Sequence, residues 1–351
     1  MTILALKKIV QISTSEQQQT YGTFRYISKG IIPTPSTHFY HLPTLSEFGD
    51  IRSLPLTNIQ PSLDQGDNTP YKLSTHGFTA TRSPSTMSSP PFTHQDWNNE
   101  TLLKSIYIPE TEALVKRITG AKTVLTDSLV MRKNLHSEVD GLAREETEEE
   151  MLLFPKMVGT KAGAGGSPAP KVHLDYSPKG ARTHLRKYHP KTSDFAREVV
   201  EAEDRLLAEG VTAEEMKNKY EGPRWAMFSI WRPLKTVLRD PLALSDCRSF
   251  PMEDYVEFEV VFPTGVREDG DGDEKGHPEN VFLAYGGDSH EWFWIEKQEP
   301  DEVLVIQLFD SDAEKEGRGV AGGVMHSSVS IEGTENEEAR ESVEVRCIAI
   351  W

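Results

Sequence analysis

The chain has 351 residues, 37% of them hydrophobic, with 25 glycines, enough apolar material for one large domain or two modest ones. Lys and Arg total 38 against 55 Asp and Glu, a formal net charge of −17. Such a balance disfavours nucleic acid and anionic membrane surfaces as partners and leaves small molecules or proteins.

The opening MTILALKKIVQ has too short an apolar stretch for a signal sequence, and no run is long enough to span a bilayer. Two cysteines, Cys247 and Cys347, are too few for a disulfide framework and lack metal-ligand spacing. The expectation is a soluble, cytoplasmic protein, with a homodimer left open. From Ile31 to about Thr93 the chain is dense in Pro, Ser and Thr, so residues 1–95 are expected to form an extended segment wrapped around a core supplied by 96–351. Residues 98–119 carry Leu102, Leu103, Ile106, Leu114, Val115 and Ile118 at helical spacing, with Pro109 as a break between two helical pieces. KTVLTDSLVM reads as a strand.

The acidic run REETEEEM (144–151) precedes a Gly/Ala/Pro connector, KAGAGGSPAP, and 159–169 is expected to be a flexible loop. SDFAREVVEAEDRLLAEG (193–210) predicts one helix capped by Ser193 and ended by Gly210. The last third changes period. RWAMFSIW, EFEVVFP, VFLAY, EWFWIE, EVLVIQLFD, VMHSSVSI and SVEVRCIAIW are short apolar or alternating runs between turn residues, the pattern of an antiparallel sandwich or barrel. The fold class is therefore α+β, with helices flanking a β core.

The sharpest chemical signal is His173-Leu174-Asp175 in KVHLDYSPKGAR. On a strand, residues i and i+2 face the same side, so imidazole and carboxylate converge, as two ligands of a 2-His-1-carboxylate site for non-heme iron would. A third ligand is expected from a later strand, with His326 preferred over His290. Arg340 and Arg346 follow, and a buried arginine is the bidentate donor that the distal carboxylate of a chelating 2-oxoglutarate requires. EDGDGDE (268–274) is read as an acidic hairpin loop, because Glu274 and Asn280 stand where a calcium loop needs Gly and Glu. Asp246 and Arg248 are read first as a salt bridge, and the basic island Arg182, His184, Arg186, Lys187 and His189 as a solvated face.

STHGF, YIPETEALVKRITGAKTVLTD, VHLDYSPKGA, RWAMFSIWRPLKTVLRDPLALSDCRSF, QEPDEVLVIQLFDSD and ARESVEVR follow one another over roughly residues 70–351. In these blocks the chain resembles the asaB-type hydroxylase/desaturase family of fungal secondary metabolism, whose relatives include gibberellin desaturase and the bacterial cephamycin hydroxylase component. The resemblance implies a jelly-roll (double-stranded β-helix) core, Fe(II) and 2-oxoglutarate, and a lipophilic natural-product substrate for hydroxylation or desaturation. It matches His173, Asp175 and His326 to the metal ligands and Arg340 to the 2-oxoglutarate arginine. Two segments depart from the pattern: Ser229-Ile230-Trp231-Arg232 replaces an Asn-Val-Trp-Arg-like run, and VMHSSV replaces a Pro-His-Thr-Ala-Phe-like one. The same family implies a second activity, a metal-independent hetero-Diels–Alderase that dehydrates a precursor to a quinone methide and directs its cycloaddition in tropolonic sesquiterpene formation. For that chemistry Arg182, Trp231, Arg232, Asp246, Arg248 and Tyr176 are the polar and aromatic candidates.

Overall fold

The computed structural model describes residues 19–34, 42–136, 153–161, 163–263 and 276–351. The acidic stretches 144–151 and 268–274 lie outside the described residues. Among the described residues, fourteen strands form two mixed sheets. They are β1 (Thr20–Tyr26), β2 (Asp50–Asn58), β3 (Phe78–Arg82), β4 (Thr123–Arg132), β5 (Lys156–Val158), β6 (His173–Leu174) and β7 (Trp225–Pro233), followed by β8 (Leu242–Ser245), β9 (Tyr255–Pro263), β10 (Gly276–Ala284), β11 (Trp292–Trp294), β12 (Glu302–Asp310), β13 (His326–Ser328) and β14 (Ser342–Ile350). The larger sheet runs β1-β2-β11-β8-β13-β6-β10-β9 and the smaller β3-β12-β7-β14-β4-β5. Most pairs are antiparallel, but β2–β11 and β4–β5 are parallel, so the sheets are mixed where the turn pattern predicted purely antiparallel ones.

The period-2 pattern of the smaller sheet decides what lies on either side of it. Met227 and Trp231 of β7, with Leu304, Ile306 and Leu308 of β12, face a core shared with Phe24, Leu56, Leu174 and Leu244 of the larger sheet. The alternate residues Phe228, Ile230, Val303, Val305, Val343 and Val345 face outward, onto Trp97, Leu103, Tyr107 and Leu114. All nine residues of β7 are buried, because this strand is covered on both faces. The functional cavity described below opens within the first of these cores.

Three local expectations change. The chain expected only to wrap the core supplies β1 and β2 to the larger sheet and β3 to the smaller: Gly22–Tyr26 alternate in burial, and Phe78–Ala80 are buried one after another. Pro109 does not divide the helix: a wider π turn over Leu103–Tyr107 leads directly into a helix at Ile108–Thr119, with the proline in its first turn, where no N–H is needed. The 193–210 helix is two pieces, Pro190–Phe195 and Arg197–Ala208, and His189 rather than Ser193 caps the first by accepting from Lys191 N at 3.1 Å.

The described part of the 159–169 loop is pinned. Residues 165–168 are buried; Gly166 N donates to Met131 O (2.9 Å) and Lys133 N to Gly166 O (3.0 Å). Arg132 Nη1 donates to Ser167 O (2.6 Å), and Ser328 N to Ala169 O (2.9 Å). Small residues let this segment run close against β4, and it delivers the chain to His173. Immediately after Asp175, Ser177 caps the helix Pro178–Lys187, which packs on β10 so closely that a Cβ on Gly180 would fall on the Asn280 carbonyl oxygen. Gly180→Ala is accordingly expected to cost about 1–3 kcal/mol, read as a lowered urea midpoint; an unchanged midpoint would show that the helix can lift without loss.

Candidate metal centre

β6 and β13 are neighbours in the larger sheet, and His326 stands directly opposite His173, with ring centroids 4.5 Å apart. Asp175, two residues beyond His173, returns its carboxylate to the same side. Its Oδ1 is 3.5 Å from His173 Nε2 and 3.9 Å from His326 Nε2. One ligand atom from each of the three lies within 4.8 Å of the others, and all three residues are only 8–9% exposed.

The imidazole tautomers follow from their other contacts. His173 Nδ1 lies 2.6 Å from Lys171 O and His326 Nδ1 lies 3.0 Å from Val324 O. A carbonyl only accepts, so each Nδ1 carries the proton and each Nε2 turns a lone pair toward the centre. Burial, reinforced by the neighbouring His173, holds the His326 pKa below its ordinary value. Burial alone would raise the Asp175 pKa, but the Arg346 guanidinium and the His173 contact outweigh it and keep the carboxyl well below the usual carboxylate range. Arg346 Nη2 lies 3.0 Å from Asp175 Oδ2, and its Nε donates to Glu344 Oε1 at 3.1 Å.

These groups open on a cavity of about 400 Å³, its solvent-open part included, whose other walls include Arg132, Trp231, Leu242, Ile306, Arg340 and Glu344. Arg340 is 3% exposed, lies over the Trp231 ring at 5.1 Å and donates from Nη1 to Asp240 O at 2.6 Å. Its Nε has no hydrogen-bond partner among the described residues. Burial, with Arg132 nearby, lowers its pKa to about 9. A buried guanidinium with a vacant donor beside three converging ligand atoms fits a divalent cation together with an anion.

The structure thus gathers His173, Asp175, His326, Arg340 and Trp231, and leaves the other candidates elsewhere. His290 is stacked on Phe250 at 3.5 Å and bonded to Asp254 and Tyr26. Arg232 alternates with Trp231 and so faces away from the cavity, donating to Pro300 O and Ser83 O at 2.6 Å each. Asp246 and Arg248 are occupied with each other at 2.5 Å. Arg182 is clamped between Glu203 and Glu314, and Tyr176 packs edge-on against His184 with its hydroxyl buried. The basic island is therefore not a solvated face: Arg182 and Arg186 both pair with the buried Glu203, and His184 is itself buried. Glu344 and Arg132 escaped the sequence reading, which named Arg346 only as a candidate co-substrate arginine and not as the partner of Asp175. The available signal was parity, because Glu344 and Arg346 share one face of a strand that is mainly apolar.

Over residues 57–350 the sequence matches the family model described as an oxidoreductase/YMDC permease-like domain. Oxidoreductase chry3 of Gibberella zeae is 44% identical over 96% of this chain and 100% of its own length. The chain belongs to the asaB-type hydroxylase/desaturase family of oxidoreductases. Another relative in this family, the gibberellin cluster GA4 desaturase of Gibberella fujikuroi, is 34% identical over 86% of this chain and 87% of its own. Among solved structures, the iron and α-ketoglutarate-dependent endoperoxidase NvfI superposes with a TM-score of 0.58, covering 95% of this chain and 98% of that one at 22% identity. That is a likeness of fold. Among the described residues no helix is long and apolar enough to cross a membrane.

Proposed function

We propose that this oxidoreductase uses Fe(II) and 2-oxoglutarate to hydroxylate or desaturate a lipophilic intermediate of fungal secondary metabolism, on a double-stranded β-helix formed by the two sheets. The observation that carries this reading is the juxtaposition of three converging ligand atoms with a buried arginine whose Nε is unpartnered. His173, Asp175 and His326 would hold the iron. Bound there with 2-oxoglutarate, iron would supply dioxygen-dependent oxidation able to remove hydrogen from an unactivated carbon.

The chain's own contribution is placement. The Lys171 and Val324 carbonyls fix both rings in the tautomer that offers Nε2. Arg340, held over Trp231, offers its free Nε to the distal carboxylate of the co-substrate. Leu242, Ile306 and Trp231 give the substrate apolar walls that exclude water.

The test is an anaerobic titration of the apo-protein with Fe(II) and 2-oxoglutarate, following the visible charge-transfer band of the chelate. Its appearance is the expected result. Its absence in folded protein would remove this reading and promote the metal-independent cycloaddition, which would then run in chelator and without oxygen. A second expectation separates the arginine from the ligands: Arg340→Met should retain metal while its 2-oxoglutarate affinity falls about 10- to 100-fold, the worth of a charge-assisted buried contact. Unchanged affinity would assign the carboxylate to another residue.

A further inference from the structure

The cavity holds two carboxylates, Asp175 and Glu344, where a facial iron site uses one. Both are buried, and each bears on the other as a like charge. Glu344 lines this cavity outside the group of three whose ligand atoms lie within 4.8 Å of one another, and its carboxylate, once freed, is a competing ligand, as is the second oxygen of Asp175. Either would fill a position that a chelating co-substrate or oxygen needs.

A single guanidinium stands between them. Arg346 Nη2 forms an ion pair with Asp175 Oδ2 at 3.0 Å, an oxygen that accepts no hydrogen bond among the described residues, and its Nε donates to Glu344 Oε1 at 3.1 Å, while Ser229 Oγ donates to the same Oε1 at 3.2 Å. Asp175 Oδ1 is left facing the two Nε2 atoms. The planar fork of an arginine can engage two carboxylates at once, which a lysine ammonium does less well.

We propose that Arg346 is a positioning residue that sequesters Glu344 and one oxygen of Asp175, so that the centre presents two imidazoles and a single carboxylate oxygen and keeps its remaining positions open. This inference rests on the iron and 2-oxoglutarate reading above. It separates Arg346 from Arg340, which would meet the co-substrate directly. It also makes an unusual demand on the variants: loss of Arg346 should leave metal binding intact, because a liberated carboxylate adds a ligand, while co-substrate binding suffers.

The test measures anaerobic binding of cobalt(II), and then of 2-oxoglutarate to the cobalt-loaded protein, by calorimetry. Wild type, Arg346→Lys, Arg346→Met and the double variant Arg346→Met/Glu344→Gln are compared, each checked by circular dichroism. Arg346→Met should bind cobalt at least as tightly as wild type and 2-oxoglutarate about 10-fold or more weakly, with Arg346→Lys between. The double variant, in which the competing carboxylate is neutralised, should recover most of the lost 2-oxoglutarate affinity. Parallel loss of both ligands, unchanged 2-oxoglutarate binding in Arg346→Met, or a double variant as weak as the single one would overturn the proposal. If Arg346→Met does not fold, the double variant, which carries no unpaired Glu344, decides alone: near wild-type 2-oxoglutarate affinity supports sequestration, and weak affinity refutes it. Failure of wild type to bind cobalt would instead strike the iron reading itself, and is seen before any variant is compared.

Discussion

Replacing His173 by alanine should lower metal affinity by at least about 100-fold and abolish 2-oxoglutarate decarboxylation, the largest effect on activity expected from any single change. Removing even a residue that only orients a ligand costs 10- to 100-fold in comparable centres, so removing one of three ligands sets that as the lower limit. The effect should be chemical rather than structural. His173 lies at a cavity wall, opposite His326 on a strand of two residues, and its side chain hydrogen-bonds the Lys171 carbonyl oxygen. The variant should therefore keep its circular dichroism and most of its urea midpoint while losing the chelate band. Release of CO₂ from 2-oxoglutarate is the activity to follow, because it needs no knowledge of the substrate. A folded His173→Ala protein that still releases CO₂ at the wild-type rate would show that the ligands lie elsewhere.

Much of this centre is legible in the linear chain because its logic is local. His-x-Asp needs only the two-residue pitch of a strand, and the order of a later histidine and then an arginine follows the chain. Short, mainly apolar runs also place the strands of the last third, since β7, β12 and β14 are buried along nearly their whole length. The parts that escape depend on distant pairing. Trp231 and Arg232 are equally plausible pocket residues until β7 is set between β12 and β14, whereupon one faces the cavity and its neighbour faces Tyr107. Arg346 reads only as a second candidate for the co-substrate arginine until Asp175, 171 residues earlier in the chain, arrives against it. Two- and three-residue strands such as β6 and β13 have no periodicity of their own, and only their sheet neighbours define them. The basic island was misread for the same reason: helical spacing shows that Arg182 and Arg186 share a face, but not that buried Glu203 waits beneath it.

The second large effect concerns stability and arises from His184. This side chain is 1% exposed and lies between two carboxylates, with Nε2 2.8 Å from Asp127 Oδ2 and Nδ1 3.0 Å from Glu279 Oε1. Carboxylates accept, so both ring nitrogens must donate, and the imidazole is held as the cation. Burial would lower its pKa; the Glu279 charge and the Asp127 hydrogen bond overcome this and raise it to about 9. A folded value above the unfolded one, about 6.5, means that the stabilisation is fully present below pH 6.5 and is lost as pH rises through 9. Its size is about 3 kcal/mol. Glu279 is shifted the opposite way: burial would raise it, but His184 holds it below its ordinary value, so its share is lost as pH falls. His184→Ala should therefore cost about 3–5 kcal/mol at pH 6, because Asp127 and Glu279 are left buried with their central cation gone. Urea unfolding of wild type between pH 6 and 10 should show a decline that the variant lacks. A wild-type midpoint flat across that range, or a variant as stable as wild type at pH 6, would mean that the three groups share their charge differently from the arrangement these distances require.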